Sequence, residues 1–183
     1  MFGLFRNKAR DVQISRIYDQ ILTQARAPEL YLAGGVPDTM EGRTDMMLLH
    51  LFLLMHRLRE EKGEILEVAR DVCDRFFAEL DRAMREMGVG DLTVPKKMRR
   101  IADIYAGCSS SYGNALGSED AGELPAALLR NVYGRREDRQ MEAEALAAYV
   151  RRAAAALAGT PSERLITDAI PYPLPPLPSE TSA

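Results

Sequence analysis

Apolar side chains recur every three or four residues along most of this chain, which is the period of an amphipathic α-helix. The first such run covers residues 9–27 and ends before Pro28. The second begins at Asp38, a predicted N-cap with Glu41 as its capping-box partner, and extends to about residue 61. Alternating runs of Val, Ile and Thr, which are typical of strands, do not occur in the sequence.

The same spacing predicts further helices at about residues 64–87, 95–112, 124–133 and 138–157. Residues 113–122 hold three glycines and are expected to form a loop, and Gly159 is expected to cap the last helix. The pattern therefore predicts an all-α fold, a single compact domain of about six helices with a proline-rich C-terminal tail.

Three segments differ in composition: an apolar and basic N-terminal segment at residues 1–8, a helical domain at residues 9–159 and a proline-rich tail at residues 160–183. Five prolines between residues 171 and 178 predict an extended, polyproline-like or disordered tail, either a strap on the helical body or a free end. In the N-terminal segment, Phe2, Leu4 and Phe5 precede a group of cations. These side chains are expected either to contact an anionic membrane surface or to dock on the core.

Composition and charge exclude several classes of protein. The chain of 183 residues is long enough for one hydrophobic core, and its formal net charge of −3 argues against a DNA-binding protein. Cys73 and Cys108 are two lone thiols, which suit a reducing compartment. No secretory signal is recognisable, and the longest apolar run, residues 46–55, is about half of a membrane span. A cytoplasmic protein is therefore expected.

Catalytic machinery is not recognisable in the sequence. His50 and His56 are six residues apart, hence about 120° apart around a helix, and cannot form a metal chelate together. His50 lies in the apolar run and is expected to be a core histidine with satisfied hydrogen bonds, whereas His56 is expected at the surface. We predict no catalytic residue, no metal and no cofactor.

The apolar run at residues 46–55 is apolar around almost the whole helix, which is typical of a helix in the core of a bundle. It could instead present one face to a partner, because Met is common on adaptable binding surfaces. On that alternative, the candidate partner-binding residues are Met47, His50, Leu51 and Leu54, with the Phe76–Phe77 pair.

Two charged clusters are further candidates. Asp38, Arg43 and Asp45 precede the apolar run, and they form either a structural ion pair or a partner contact. The second cluster, Lys96, Lys97, Arg99 and Arg100, opens a predicted helix, where positive charge opposes the helix dipole. It forms either a solvated face or a contact with an anionic partner such as RNA, lipid or an acidic protein.

Several ordered motifs resemble the ubiquinol–cytochrome c chaperone family. The motifs are Gly35-Val36-Pro37-Asp38-Thr39, Leu49-His50-Leu51-Phe52-Leu53, Arg85-Glu86-Met87-Gly88-Val89-Gly90-Asp91-Leu92, Val94-Pro95-Lys96-Lys97-Met98 and Arg130-Asn131-Val132-Tyr133. The likeness covers about residues 11–157.

The resemblance implies an all-helical protein without known catalytic activity that assists assembly of respiratory complex III, the cytochrome bc1 complex. The implied partners are newly made cytochrome b or another bc1 subunit, a small partner protein, the ribosome and an anionic inner-membrane surface. The implied location is peripheral, at the cytoplasmic face of the inner membrane. Two other functions stay open: a membrane-surface scaffold that handles no client, and a haem-handling protein that uses His50.

Overall fold

The computed structural model describes residues 2–175, and it describes side chains from residue 8 onward. Within that range the chain forms eight α-helices and one 3₁₀ turn, and no strand. The helices are α1 Phe2–Ala25, α2 Pro28–Leu32, α3 Met40–Leu58, α4 Gly63–Glu86, α5 Val94–Gly117, α6 Glu123–Asn131, α7 Gln140–Ala158 and α8 Ser162–Thr167, with the 3₁₀ turn at Glu137–Arg139. The predicted all-α fold is confirmed. The side chains of Phe2, Leu4 and Phe5, and the tail from residue 176, lie outside the described residues.

Helix α3 occupies the centre of the bundle, where α1, α4, α5 and α7 pack around it. Every residue from 48 to 54 is buried, so no side of this part of the helix faces water. A helix that is apolar all round is stable only in such surroundings, because each face removes its side chains from water. The core interpretation of the apolar run is thereby confirmed.

The N-cap of α3 differs from the prediction by one residue. Thr39, in extended conformation, caps the helix, and its Oγ1 accepts a hydrogen bond of 3.1 Å from the Gly42 amide. Asp38 bonds Arg43 instead of a helix amide. A side chain at residue 42 would clash with the Pro37 carbonyl oxygen, so glycine at this position lets the chain approach the first turn closely.

Helix α5 continues to Gly117, through residues that were expected to form a loop. Gly113 lies against the imidazole of His56: a Cβ at this position would stand 3.5 Å from Nδ1, at van der Waals contact. Close packing on α3 therefore outweighs the low helix propensity of glycine. His56, expected at the surface, is half-buried in this contact and stacks on Phe52, with ring centroids 5.2 Å apart.

The segment after Gly159 is more ordered than expected up to residue 175. It contains helix α8, and Leu165, Ile166 and Ile170 join the hydrophobic core. These apolar side chains explain the correction, because their burial stabilises a fixed path on the bundle. Residues 168–175 follow without regular structure and include the buried Pro175, so this stretch is a strap on the helical body.

The far part of the α4–α5 hairpin, residues 81–100, contributes no side chain to the hydrophobic core. Between residues 77 and 111, Val94 is the one buried residue. Helices α4 and α5 contribute 6 and 7 residues to this part, so it extends about 10 Å. The loop between them, residues 87–93, is thus at the tip of a projecting arm.

Among the described helices, none is sufficiently long and apolar to cross a membrane.

Candidate functional site

His50 is completely buried and fully hydrogen-bonded. Its Nδ1 lies 2.7 Å from the Met46 carbonyl oxygen, which can only accept, so Nδ1 carries the proton and donates. Its Nε2 is then the acceptor of a 2.7 Å hydrogen bond from the Tyr149 hydroxyl. Burial lowers the pKa of His50 from 6.5 to about 4, although the bond to Met46 opposes this change. His50 is therefore the neutral core histidine that the sequence predicts.

The same network fixes the C-terminal strap to the bundle. Gln24 donates one hydrogen bond of 3.0 Å to the Tyr149 hydroxyl and another of 2.9 Å to the Pro173 carbonyl. The Tyr172 hydroxyl donates to the His50 carbonyl at 3.0 Å, and its ring stands edge-on to the imidazole. His50 thus acts as a structural link between α3, α7 and the strap.

The predicted apolar lining for a partner is largely part of the core. Leu51, Leu54 and Phe76 are at most 1% exposed, and a partner cannot reach them in this conformation. The prediction is corrected because α3 is enclosed on all sides and Phe76 packs edge-on between Tyr18 and Phe77. Met47 and Phe77 are half-buried and have some surface left.

Asp38 and Arg43 form an exposed ion pair with a 2.6 Å contact. The hydrogen bond from Arg43 lowers the pKa of Asp38, and the guanidinium stands 5.8 Å from the Tyr31 ring centroid. The pair ties the loop before α3 to its first turns. It is the structural ion pair that one interpretation of the sequence predicts, and its exposure leaves it open to contact.

Asp45 is not part of this pair. It is half-buried, and burial, with a smaller contribution from the Glu41 charge, raises its pKa to about 6. Burial raises the pKa of Cys108 in α5, and the charge of Asp45 raises it further. The structure therefore separates the three residues that the sequence grouped together.

Three exposed apolar side chains border the loop of residues 33–39. Leu32 at one end of the loop, Met40 at the other and Met141 on the adjoining start of α7 are 86%, 58% and 79% exposed. The loop is held in place, because the Tyr133 hydroxyl donates a 2.6 Å hydrogen bond to the Gly34 carbonyl. We call Leu32, Met40, Met141 and the Asp38–Arg43 pair the loop surface.

Sequence analysis missed the three apolar members of the loop surface. A signal was present, since Met141 falls outside the buried stripe of α7, which Ala143, Leu146 and Ala147 define. Leu32 and Met40 lie at helix ends, where hydrophobic periodicity does not show which side of the helix is buried.

The predicted basic cluster lies in the first two turns of α5, and all four of its side chains are exposed. Met87 and Leu92 in the preceding loop are also exposed. We call this set of six residues the hairpin tip: Met87, Leu92, Lys96, Lys97, Arg99 and Arg100.

In the described part of the chain, His, Cys, Asp and Glu side chains do not gather in groups of three or more that could hold a metal ion. A groove of about 1310 Å³ lies between α1, α4 and α8, and its lining is mostly charged. The ion pair of Arg10 and Asp71, 2.6 Å apart, forms part of it. Such a lining does not fit an apolar helix of a membrane protein.

The fold closely matches a solved structure. The crystal structure of the Cbp3 homolog from Brucella abortus superposes with a TM-score of 0.83 at 36% sequence identity, over 94% of this chain and 96% of that one.

Two curated relatives give the same indication from sequence. Ubiquinol-cytochrome c reductase complex assembly factor 1 of Mus musculus is 24% identical over 137 residues, which are 75% of this chain and 46% of the relative. The Homo sapiens protein of that name is 25% identical over the same share of each chain. The chain thus matches less than half the length of these relatives.

The family model for the ubiquinol-cytochrome C chaperone matches residues 32–171, most of the bundle described above. The chain therefore belongs to the ubiquinol–cytochrome c chaperone family.

Proposed function

We propose that this protein is a non-enzymatic assembly chaperone of the cytochrome bc1 complex and that it binds newly made cytochrome b. The observation that carries the proposal is the family match over residues 32–171, which includes the loop surface and the whole central helix. The names of the relatives associate them with assembly of the ubiquinol–cytochrome c reductase complex.

The loop surface is the proposed contact for cytochrome b. Three large apolar side chains exposed beside one anchored loop are costly in water, and burial against an apolar client offsets that cost. The Asp38–Arg43 pair at the rim is exposed and offers both a donor and an acceptor. A small partner protein could use the same rim.

The hydrogen bonds of His50 favour a protein that binds a client over one that handles haem. Nδ1 carries a proton and donates to Met46, and the lone pair of Nε2 accepts from Tyr149, so neither nitrogen is available to a haem iron. The imidazole is also fully buried. In this conformation His50 stabilises the bundle and does not contact a ligand.

The proposed place of action is the cytoplasmic face of the inner membrane, where the protein would be peripheral. Cytochrome b is an integral membrane protein, so a chaperone that receives it during synthesis has to work close to the bilayer.

The experiment is recovery of tagged cytochrome b with the full chain from a bacterial strain that assembles the bc1 complex. Leu32→Ser, Met40→Ser and Met141→Ser together are expected to lower the recovered cytochrome b at least about 10-fold, because three apolar contacts are lost. A matched control combines Val12→Ser and Leu174→Ser, which remove exposed apolar side chains elsewhere.

Two results would contradict the proposal. Recovery of other bc1 subunits without cytochrome b would favour a scaffold that handles no client. A folded His50→Gln protein that captures cytochrome b normally, but leaves it without haem, would favour a haem-handling protein.

A further inference from the structure

The hairpin tip combines concentrated positive charge with exposed apolar side chains at the end of a projecting arm. Residues 96, 97, 99 and 100 fall within an arc of about 160° on the outward face of α5. The opposite face of the helix carries the buried Val94 and the half-buried Ile101. All four cations thus share the exposed face of α5.

The four cations have no partner among the described carboxylates within the 4.0 Å of an ion pair. The carboxylate of Asp91, in the loop beside them, is already bound to Arg85 at 2.7 Å. The first turn of α5 contains no acidic residue, so the positive end of the helix dipole adds to the same potential. The tip is therefore a surface that attracts anions although the chain is acidic overall.

Apolar exposure at the same place indicates which kind of anionic partner fits. Leu92 is 97% exposed, more than any other large apolar side chain described, and Met87 is 54% exposed. Cations next to exposed apolar groups are typical of elements that rest on a bilayer, where the cations meet phosphates and the apolar groups enter the interface. A nucleic-acid backbone would account for the cations but would leave Leu92 in water.

We propose that the hairpin tip docks on an anionic lipid bilayer. Lys96, Lys97, Arg99 and Arg100 donate hydrogen bonds to headgroup phosphates, and Leu92 enters the boundary between headgroups and acyl chains. No residue belongs to both the hairpin tip and the loop surface, so membrane docking leaves the client contacts of the loop surface unused. The inference depends on the proposed function only for its setting at a membrane, and its test requires no cytochrome b.

The experiment is co-sedimentation of the full chain with vesicles of phosphatidylcholine containing about one third phosphatidylglycerol, beside vesicles of phosphatidylcholine alone. The natural chain is expected to bind the anionic vesicles, and to bind them less as salt is raised from about 0.1 M to about 0.5 M. Reversing all four cations, Lys96→Glu, Lys97→Glu, Arg99→Glu and Arg100→Glu, is expected to lower the affinity at least about 100-fold.

A matched control changes the net charge equally at other exposed sites: Arg26→Glu, Arg70→Glu, Arg135→Glu and Arg152→Glu. It is expected to keep affinity within about 10-fold, since these side chains are not at the tip. Leu92→Ser is expected to lower affinity about 10-fold, whereas Leu174→Ser, at an exposed leucine outside both surfaces, leaves it unchanged. Circular dichroism of each variant establishes that the bundle is folded.

Three results would overturn the inference. The tip variant could bind anionic vesicles as the natural chain does, or the control could lose as much affinity as the tip variant. The third is that the tip variant loses binding to a single-stranded RNA probe while vesicle binding persists, which would assign the cations to nucleic acid. Failure of the proposed function is distinguishable, because it appears as lost capture of cytochrome b in detergent with vesicle binding intact.

Discussion

Acidification titrates His50 differently in the folded and the unfolded chain. The folded pKa is lowered by burial to about 4, whereas the unfolded chain titrates near 6.5. Between these values the unfolded chain binds a proton that the folded chain does not, so the free energy of unfolding falls as the pH falls. A difference of about 2.5 pKa units corresponds to about 3 kcal/mol lost by the time the pH reaches 4.

Asp45 changes the free energy of unfolding in the opposite direction over nearly the same pH range. Burial raises its folded pKa from 3.8 to about 6, so the folded chain binds a proton that the unfolded chain does not. Acidification through this window therefore stabilises the fold. Because Asp45 is only half-buried, solvent screening reduces its contribution to about 1–2 kcal/mol. The natural chain should then lose less stability than His50 alone would cause.

Urea unfolding followed by circular dichroism between about pH 7 and pH 4 separates the two groups. Asp45→Asn removes the compensating group and should steepen the loss of stability on acidification. His50→Gln should lower stability by about 1–3 kcal/mol at neutral pH, because it disturbs the buried bonds to Met46 and Tyr149. It should also reduce the loss of stability on acidification, while His56, whose pKa burial lowers as well, keeps its own contribution. If the natural chain and His50→Gln lost stability in parallel between pH 6.5 and pH 4, His50 would not be the buried neutral group described here.

Two further substitutions test the packing around α3 by thermal unfolding. Gly42→Ala should cost about 1–3 kcal/mol, because the added methyl group meets the Pro37 carbonyl, and unchanged stability would contradict the close approach. Tyr149→Phe should cost about 1–3 kcal/mol, because the buried His50 Nε2 loses its donor. Tyr172→Phe is its control: it removes a bond to a helical carbonyl, so a loss as large as that of Tyr149→Phe would refute the reasoning.

The sequence was informative where the deciding interactions repeat locally. The 3.6-residue period located the main helices, and the apolar run at residues 46–55, interrupted by His50, favoured a helix in the core of the bundle. That enclosure also determined the state of His50, since a histidine in such a helix has to be neutral and hydrogen-bonded. The local pattern did not identify Tyr149 as the hydrogen-bond partner of His50, because Tyr149 is 99 residues away in the chain.

Errors arose where tertiary contacts overrode local preference. Helix α5 continues through Gly113, which packs against His56 of α3, and no short sequence window contains both residues. Leu51, Leu54 and Phe76 were candidates for partner binding because they are apolar, but apolarity does not distinguish a core from a docking surface. The exposed surfaces, which are the loop surface and the hairpin tip, instead contain apolar residues that lie outside the periodic stripes.

The C-terminal segment, helix α8 with the strap that follows it, shows most clearly what hydrophobic periodicity leaves undetermined. Polar side chains on one stripe of α1 hold it through its backbone: Gln13 and Arg16 donate to the Ile166 carbonyl, Gln24 donates to the Pro173 carbonyl, and Gln20 accepts from the Ile170 amide. Residues 13, 16, 20 and 24 have helical spacing, so the stripe is visible in the sequence. The segment that binds to this stripe is not visible in the sequence, because hydrogen bonds to backbone groups impose no side-chain pattern on the segment they hold. The segment is instead selected by the burial of Leu165, Ile166 and Ile170, so the polar stripe fixes its path while the apolar residues supply the stabilisation.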